Sequence, residues 1–251
     1  MFLLELGNEI IQYLFDLKDV INMYNLSKLH QNYLKIIDLY NIDLNLISKI
    51  TQEAIRQHKF RFVEKLNCSN NNLINDLNHL TDSLLILDCN SSIVDCSLNQ
   101  EGISKLKLIE LYAADNDLIT NVNHMKNTLQ ILDCSFTCGI DQEGISELSL
   151  KKLYAYDNSD ITDLNHMKYS LKSLNCGCSC SLDWCCGTPS IDINSISELQ
   201  LEYLDCSGNT NINDVNFLYK TLRTLVIINL TDCKHDKLVN CKILKIENAN
   251  D

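Results

Sequence analysis

One spacing governs most of this chain. From residue 63 onward it reads Leu-x-x-Leu-x-Cys/Ala-x-x-Asn repeatedly, and Val63, Leu84, Leu108, Leu129, Leu150, Leu171, Leu201 and Leu222 each open a unit. The steps between openings (84 − 63 and so on) are 21, 24, 21, 21, 21, 30 and 21 residues. A unit this short cannot bury its own apolar face, so successive units must stack into one continuous core. The match is closest between alternate units. Gln100-Glu101-Gly102-Ile103-Ser104 returns as Gln142-Glu143-Gly144-Ile145-Ser146, and Asn123-His124-Met125 returns as Asn165-His166-Met167, each 42 residues on (142 − 100 and 165 − 123). The chain therefore grew by copying a pair of units.

Each position has a physical role. Positions one, four and six, such as Val63, Leu66 and Cys68, point into the core. The residues between them alternate outward, because a strand has a two-residue period. Position nine is Asn in alternate units (Asn71, Asn116, Asn158, Asn209), with Ser92, Thr137 and Ser179 between them. A buried Asn at a turn satisfies neighbouring backbone groups with its amide. On the far side, Ile161 to Met167 leaves too little length for a full helix, so 3₁₀ or irregular turns are expected there. This pattern resembles the leucine-rich repeat, and its Ile-Thr-Asp-Leu run resembles the repeats of bacterial internalins and of the phosphatase-regulator class. The resemblance implies an α/β fold: a right-handed solenoid with one curved parallel β-sheet, preceded by a small α-helical segment.

The first residues follow another pattern. Glu9-Ile10-Ile11, Tyr13-Leu14, Lys18-Asp19-Val20 and Leu26-Ser27-Lys28 have helical apolar spacing and resemble the F-box. Gly7 stands where that family has Pro, and His30 to Tyr33 stand where it often has Trp. The resemblance implies docking to a Skp-type adaptor of a cullin ubiquitin ligase through Leu6, Ile10, Ile11, Leu14 and Val20. The competing reading is a helical cap over the first repeat, and Ile42 to His58 suits a cap, with Ile47, Ile50 and Ala54 on one face. The expected organisation is an F-box-like segment at 1–45, a helical cap or connection at 46–62, and a leucine-rich-repeat domain at 63–251 with about eight repeats and a C-terminal cap. An Asn-, Ile- and Lys-rich composition of this kind is similar to that of proteins from large DNA viruses of amoebae and their hosts.

Net charge is −12, which argues against nucleic acid and against an anionic membrane surface as partners. Met1-Phe2-Leu3-Leu4-Glu5 lacks the basic start of a secretory signal, and the longest apolar run, Leu225 to Ile228, is too short to cross a bilayer. Of 13 cysteines, Cys68, Cys89, Cys134, Cys176 and Cys206 fall at position six, where Ala113 and Ala155 also stand, so they read as small buried hydrophobes. An odd count without a signal points to a reducing, intracellular and cytoplasmic setting, the host cytoplasm for a viral protein. The sequons at Asn67 and Asn229 are then silent.

No catalytic arrangement stands out, and the expectation is a protein without enzymatic activity or cofactor. His79, His124 and His166 recur at one repeat position, which marks them as structural. Gly139 to Ser146 imitates a phosphate loop but lacks its Lys. The run Cys176 to Cys186 breaks the repeat. Its Cys178, Cys180, Cys185 and Cys186 could ligate zinc, but the Cys-x-Cys spacing is tighter than structural zinc sites use, so no metal is expected.

What remains is the outward row of the sheet. At position five it runs Asn67, Asp88, Tyr112, Asp133, Tyr154, Asn175, Asp205, Val226, and Tyr203 and Tyr156 adjoin it at positions three and seven. Tyr offers large contact with a polar tip, and the Asp residues make the row acidic. Asp88, Tyr112, Asp133, Tyr154, Tyr156, Tyr203 and Asp205 are thus the candidate contacts for a protein target on the concave face. Two readings compete: a substrate-recruiting F-box adaptor, and a stand-alone leucine-rich scaffold with a helical cap.

Overall fold

The structure, a computed structural model, describes residues 36–42, 47–91, 96–179, 190–228 and 233–244. The chain divides into two compact units, Met1–Leu108 and Ile109–Asp251, built on one plan. In the first, strands β1 (Asp38–Leu39), β2 (Lys65–Asn67) and β3 (Ile86–Asp88) pair in chain order, all parallel. In the second, β4 (Glu110–Tyr112), β5 (Ile131–Asp133), β6 (Lys152–Tyr154), β7 (Ser173–Asn175), β8 (Tyr203–Asp205), β9 (Thr224–Val226) and β10 (Lys242–Leu244) do the same. Strands β2 to β9 each occupy positions three to five of their repeat. Like positions face like, so Leu132 lies opposite Leu111 and Leu153.

The return segments are short, as their length dictates. The first unit has helices α1 (Gln52–Ile55) and α2 (Gln100–Ile103), with 3₁₀ turns at His58–Phe60 and Asn78–Leu80. The second has α3 (Ile193–Ile196) and 3₁₀ turns at Asn123–Met125, Glu143–Ile145, Asn165–Met167 and Asn216–Leu218. Short parallel strands joined by such turns make the chain an α/β repeat solenoid of the leucine-rich type. No helix among the described residues is long and apolar enough to cross a membrane.

The ladder begins upstream of Val63. Leu39 in β1 pairs with Leu66, so position one of that repeat is Ile36, and both Ile36 and Leu39 are buried. Its return segment is α1, whose Gln52-Glu53-Ala54-Ile55 matches Gln100-Glu101-Gly102-Ile103. Within the described part of the stretch expected to cap the first repeat, Gln52–Ile55 is a helix of a single turn and His58–Phe60 a 3₁₀ turn, while residues 43–46 lie outside the described residues. The F-box-like residues Leu6, Ile10, Ile11, Leu14 and Val20 lie outside the described residues.

Positions one, four and six are buried in every repeat from Val63 on, through Leu222, Leu225 and Ile227. Three-residue strands offer few ladder bonds, so the backbone of the turns must find partners elsewhere. Side-chain amides provide them. Asn158 donates to Cys134 O (2.7 Å) in the preceding repeat and accepts from the N–H groups of Asp160 (2.9 Å) and Ile161 (3.1 Å) in its own. Asn209 bonds Cys176 O and Ile191 O (both 3.0 Å), and in the first unit Asn71 bonds Ile47 O (2.6 Å) and Ile50 O (3.1 Å).

Two further clamps join the return segments and alternate. The Asn of each Asn-His pair grips the next turn: Asn123 donates to Glu143 O (2.8 Å) and accepts from Glu147 N–H (2.9 Å), and Asn165 does the same to Asn194 O (2.7 Å) and Glu198 N–H (2.8 Å). The Gln of the intervening repeats grips the one after: Gln142 donates to Asp163 O (2.9 Å) and accepts from Thr162 and Asp163 N–H (2.9 and 2.8 Å). Gln52 repeats that arrangement on Asn75 and Asp76 in the first unit. The segments approach so closely that a Cβ on Gly144 would lie 2.2 Å from Thr120 O, which excludes any side chain there.

Leu153→Ala should cost about 2–5 kcal/mol in a denaturant titration, as buried Leu truncations do. Asn158→Leu should cost comparably although it adds apolar volume. It strands one carbonyl and two N–H groups, each worth about 1–3 kcal/mol when buried without a partner. An Asn158→Leu protein as stable as wild type would disprove the ladder's role.

Candidate functional site

The outward row of the second unit follows from the strand period. Position three carries Glu110, Ile131, Lys152, Ser173 and Tyr203, and position five carries Tyr112, Asp133, Tyr154, Asn175 and Asp205. All are half-buried, in strands whose middle residues are fully buried. Tyr112 donates through its hydroxyl to Glu110 Oε2 at 2.8 Å, and Lys152 Nζ lies 4.5 Å from the Tyr154 ring centroid. Burial raises the Tyr203 pKa, with the Asp205 charge and Tyr154 adding to it. The structure thus brings the predicted Tyr112, Asp133, Tyr154, Tyr203 and Asp205 onto one face of one sheet. Asp88 holds the matching place in β3 of the first unit.

The acidic members of the row differ from free surface carboxylates. Asp133 accepts from Ser135 N–H (3.0 Å), Asn175 from Gly177 N–H (3.1 Å), and Asp205 from Ser207 N–H (3.1 Å) and hydroxyl (2.7 Å). In the first unit Asp88 accepts from Asn90 N–H (3.2 Å) and Asn67 from Ser69 N–H (3.0 Å). A side chain that caps the backbone two residues on is an Asx turn, and it ends the strand. The serines pass the connection on, since Ser135 Oγ accepts from Tyr156 N–H (3.2 Å) and Ser207 Oγ from Ile228 N–H (3.0 Å) in the following repeats. Asp133, Asp205 and Asp88 are therefore structural caps as well as charges.

Position eight holds a second row that alternation alone does not reveal. Its backbone is left-handed at Asn70, Asp115, Phe136, Asp157 and Gly208. Asp115 accepts from Thr137 N–H (3.3 Å) and hydroxyl (2.9 Å), and Asp157 from Ser179 N–H (2.9 Å) and hydroxyl (2.6 Å). These bonds account for the Thr and Ser that alternate with Asn at position nine. Phe136 is 41% exposed and meets Tyr156 edge-on, with ring centroids 5.6 Å apart. Tyr156 in turn lies over Gly177, where a Cβ would stand 3.0 Å from two ring atoms.

The histidines and cysteines are structural as far as they are described. His166 Nε2 contacts Ile145 O at 3.2 Å, and His79 Nε2 contacts Ile55 O at the same distance, each in the preceding repeat. Cys68, Cys89, Cys134, Cys176 and Cys206 are buried free thiols. Burial pushes the pKa of Cys134 and Cys176 up, and that of Cys138 up to about 12. Cys178, the one described member of the candidate zinc set, is buried and disulfide-bonded and so is not a free thiolate ligand. Cys180, Cys185 and Cys186 lie outside the described residues. Among the described residues no group of three or more His, Cys, Asp or Glu is placed to hold a metal ion. Compared with known proteins, the chain matches no protein-family model and no curated protein.

Burial is the largest influence on Asp133 and raises its pKa, the nearby Asp115 charge adds to this, and the Ser135 bonds oppose it. A folded pKa above the unfolded one makes the charged form a liability, complete above the folded value and gone below the unfolded value of about 3.9. Asn keeps the acceptor for Ser135 N–H, as Asn175 shows for Gly177. Asp133→Asn should therefore raise stability at neutral pH, and the gain should shrink as pH falls through the carboxylate range. Loss of stability at neutral pH would mean that the charged Asx cap outweighs its burial. In native protein, a thiol reagent should label the half-exposed Cys241 well before Cys134, Cys138 or Cys176, with mass spectrometry of the labelled peptides as the readout.

Proposed function

We propose that this chain is a protein-interaction scaffold that holds a target on the strand face of its second unit, and that it has no enzymatic activity. The observation that carries this reading is the half-buried row of Tyr112, Asp133, Tyr154, Asn175 and Asp205, with Tyr203 beside it. Aromatics in a mixed polar row suit a protein contact, because Tyr anchors interfaces while keeping its hydroxyl hydrated. Repeat stacking makes the row a surface rather than a cavity, and a surface recognises macromolecules. An acidic row on a chain of net charge −12 favours a target with basic groups beside an apolar patch.

The resemblance of residues 1–45 to the F-box extends this to a substrate-recruiting adaptor. The N-terminal segment would dock a Skp-type subunit of a cullin ubiquitin ligase in the cytoplasm, through Leu6, Ile10, Ile11, Leu14 and Val20, while the repeats hold the target. What supports that extension is the resemblance at Glu9 to Ile11, Tyr13-Leu14, Lys18 to Val20 and Leu26 to Lys28.

Two measurements test the two parts. With purified full-length chain and a Skp-type adaptor, calorimetry should detect a complex that Ile10→Glu and Leu14→Glu abolish without changing the circular dichroism of the repeats. Absence of a wild-type complex leaves the scaffold and removes the adaptor. For a partner recovered by cross-linking, Tyr154→Ala or Tyr203→Ala should speed dissociation by about tenfold or more, since aromatic anchors act mostly on that rate. Asp133→Asn should mainly slow association and flatten its salt dependence. Binding unchanged by all three would remove the strand face from the reading.

A further inference from the structure

Position eight is left-handed in five of the described repeats, though not at Ser91 or Cys178, and the occupants of the left-handed ones show what that conformation normally requires. Asn70, Asp115, Asp157 and Gly208, with φ of 56°, 57°, 52° and 70°, are residue types that accept this conformation. Phe136, at φ 62°, is not. Strained backbone at a bulky residue persists only where something else holds it, and it concentrates at functional positions.

The core gives no reason for Phe136. Its side chain is 41% exposed, and its ring meets that of Tyr156 in a T-shaped contact with centroids 5.6 Å apart. Three consecutive rungs, Asp115 N–H to Ser135 O (3.1 Å), Phe136 N–H to Tyr156 O (2.7 Å) and Asp157 N–H to Gly177 O (3.0 Å), fix the row. Phe136 therefore stands between two carboxylates in adjacent repeats. Asp115 and Asp157 cap Thr137 and Ser179, but a carboxylate has about four acceptor sites and these bonds leave capacity at each. Across positions three, five, seven and eight of the repeats opened by Leu108 to Leu201, the carboxylates are Glu110, Asp115, Asp133, Asp157 and Asp205. Lys152 is the one base, and it lies over Tyr154 rather than Phe136. A bare aromatic ring flanked by carboxylates is complementary to a planar cation. Guanidinium stacks on an aromatic face and pairs with carboxylates in forked geometry, which an ammonium does not match.

We propose that Phe136, backed by Tyr156 over Gly177 and flanked by Asp115 and Asp157, is the anchor at which this chain binds an arginine of its target protein, with the ring stacked on the guanidinium. This rests on the reading of the second unit as a protein-docking surface and names the chemistry that the surface selects.

The test uses the full chain and an array of short random-sequence synthetic peptides, followed by fluorescence polarisation on the binders. Peptides bound by wild type should be enriched in Arg. Replacing that Arg by citrulline should abolish binding, and Lys should weaken it. Phe136→Asn should weaken the same peptides by about tenfold or more while raising the melting temperature, because Asn relieves the backbone. That pairing of tighter folding with weaker binding is what a purely structural Phe136 would not show. Asp157→Asn should weaken binding and flatten its salt dependence. Binders without Arg enrichment, or Arg peptides bound equally by Phe136→Asn, would overturn the proposal. If those peptides are instead lost in Tyr154→Ala or Tyr203→Ala, the docking face stands and only the Phe136 anchor falls. No binding by any peptide removes the anchor and counts against the docking face together.

Discussion

The hydrogen bonds that side-chain amides make across repeat boundaries are the constraint on which the rest depends. Three-residue strands leave most of each turn's backbone without a ladder partner, and the turns that reach inward are shielded from water. The residue needed there must donate to a carbonyl of one repeat and accept from N–H groups of another at once. Asn158 does so, joining Cys134 O to the N–H groups of Asp160 and Ile161. Asp could only accept and Leu could do neither. Burial of Leu153 and its equivalents drives stacking, but the amides fix the register in which stacking occurs.

The same bonds explain why the copied unit is a pair. Asn123 and Asn165 grip a turn that begins with Gln or its substitute, and Gln142 grips a turn that follows an Asn repeat. A single repeat carries only half of this pairing, so copies made in pairs keep each clamp with its receptor. Where the pattern drifted, a replacement is visible. The helix that follows the repeat opened by Leu171 has Ile193 in place of Gln and Ser195 in place of Gly. Ser195 reaches back to Thr162 O at 2.6 Å and closes a capping box with Asp192. One hydroxyl there serves both the helix end and the junction with the previous repeat.

Much of this was readable in the residues. The period set the inward positions, the Asn at position nine and the 3₁₀ turns, and recurrence of His79 and His166 marked them as structural. The repeat carried by β1 was missed because its opening lies 27 residues before Val63 (63 − 36) and Asn41 replaces the small apolar residue at position six. Gln52-Glu53-Ala54-Ile55 was the signal that could have placed it. The capping by Asp133 and Asp205 was hidden for another reason: a strand's alternation says which way a side chain points, and a short acceptor can point outward and still return to its own backbone. Left-handed backbone at position eight is legible where Asn, Asp or Gly occupies it and invisible at Phe136, whose identity argues against it. That residue was absent from the sequence reading of the site.

The caps also decide which residues of the strand face are free to recognise anything. At position five, Asp133, Asn175 and Asp205 are tied to backbone N–H groups, so their side chains cannot extend toward a partner without releasing a strand end. Tyr112 and Tyr154 occupy the same position and extend instead, Tyr112 to the carboxylate of Glu110. Because the copied block is a pair of repeats, Tyr112 and Tyr154 stand two strands apart, about 10 Å at the usual parallel spacing, with Asp133 as a fixed acceptor on the strand between. Copying by pairs thereby sets a large side chain, a hydrogen-bond acceptor and a second large side chain in succession on strands β4 to β6. A partner that matches it needs its own contacts at that spacing, which an extended segment laid across the strands can supply and a small ligand cannot.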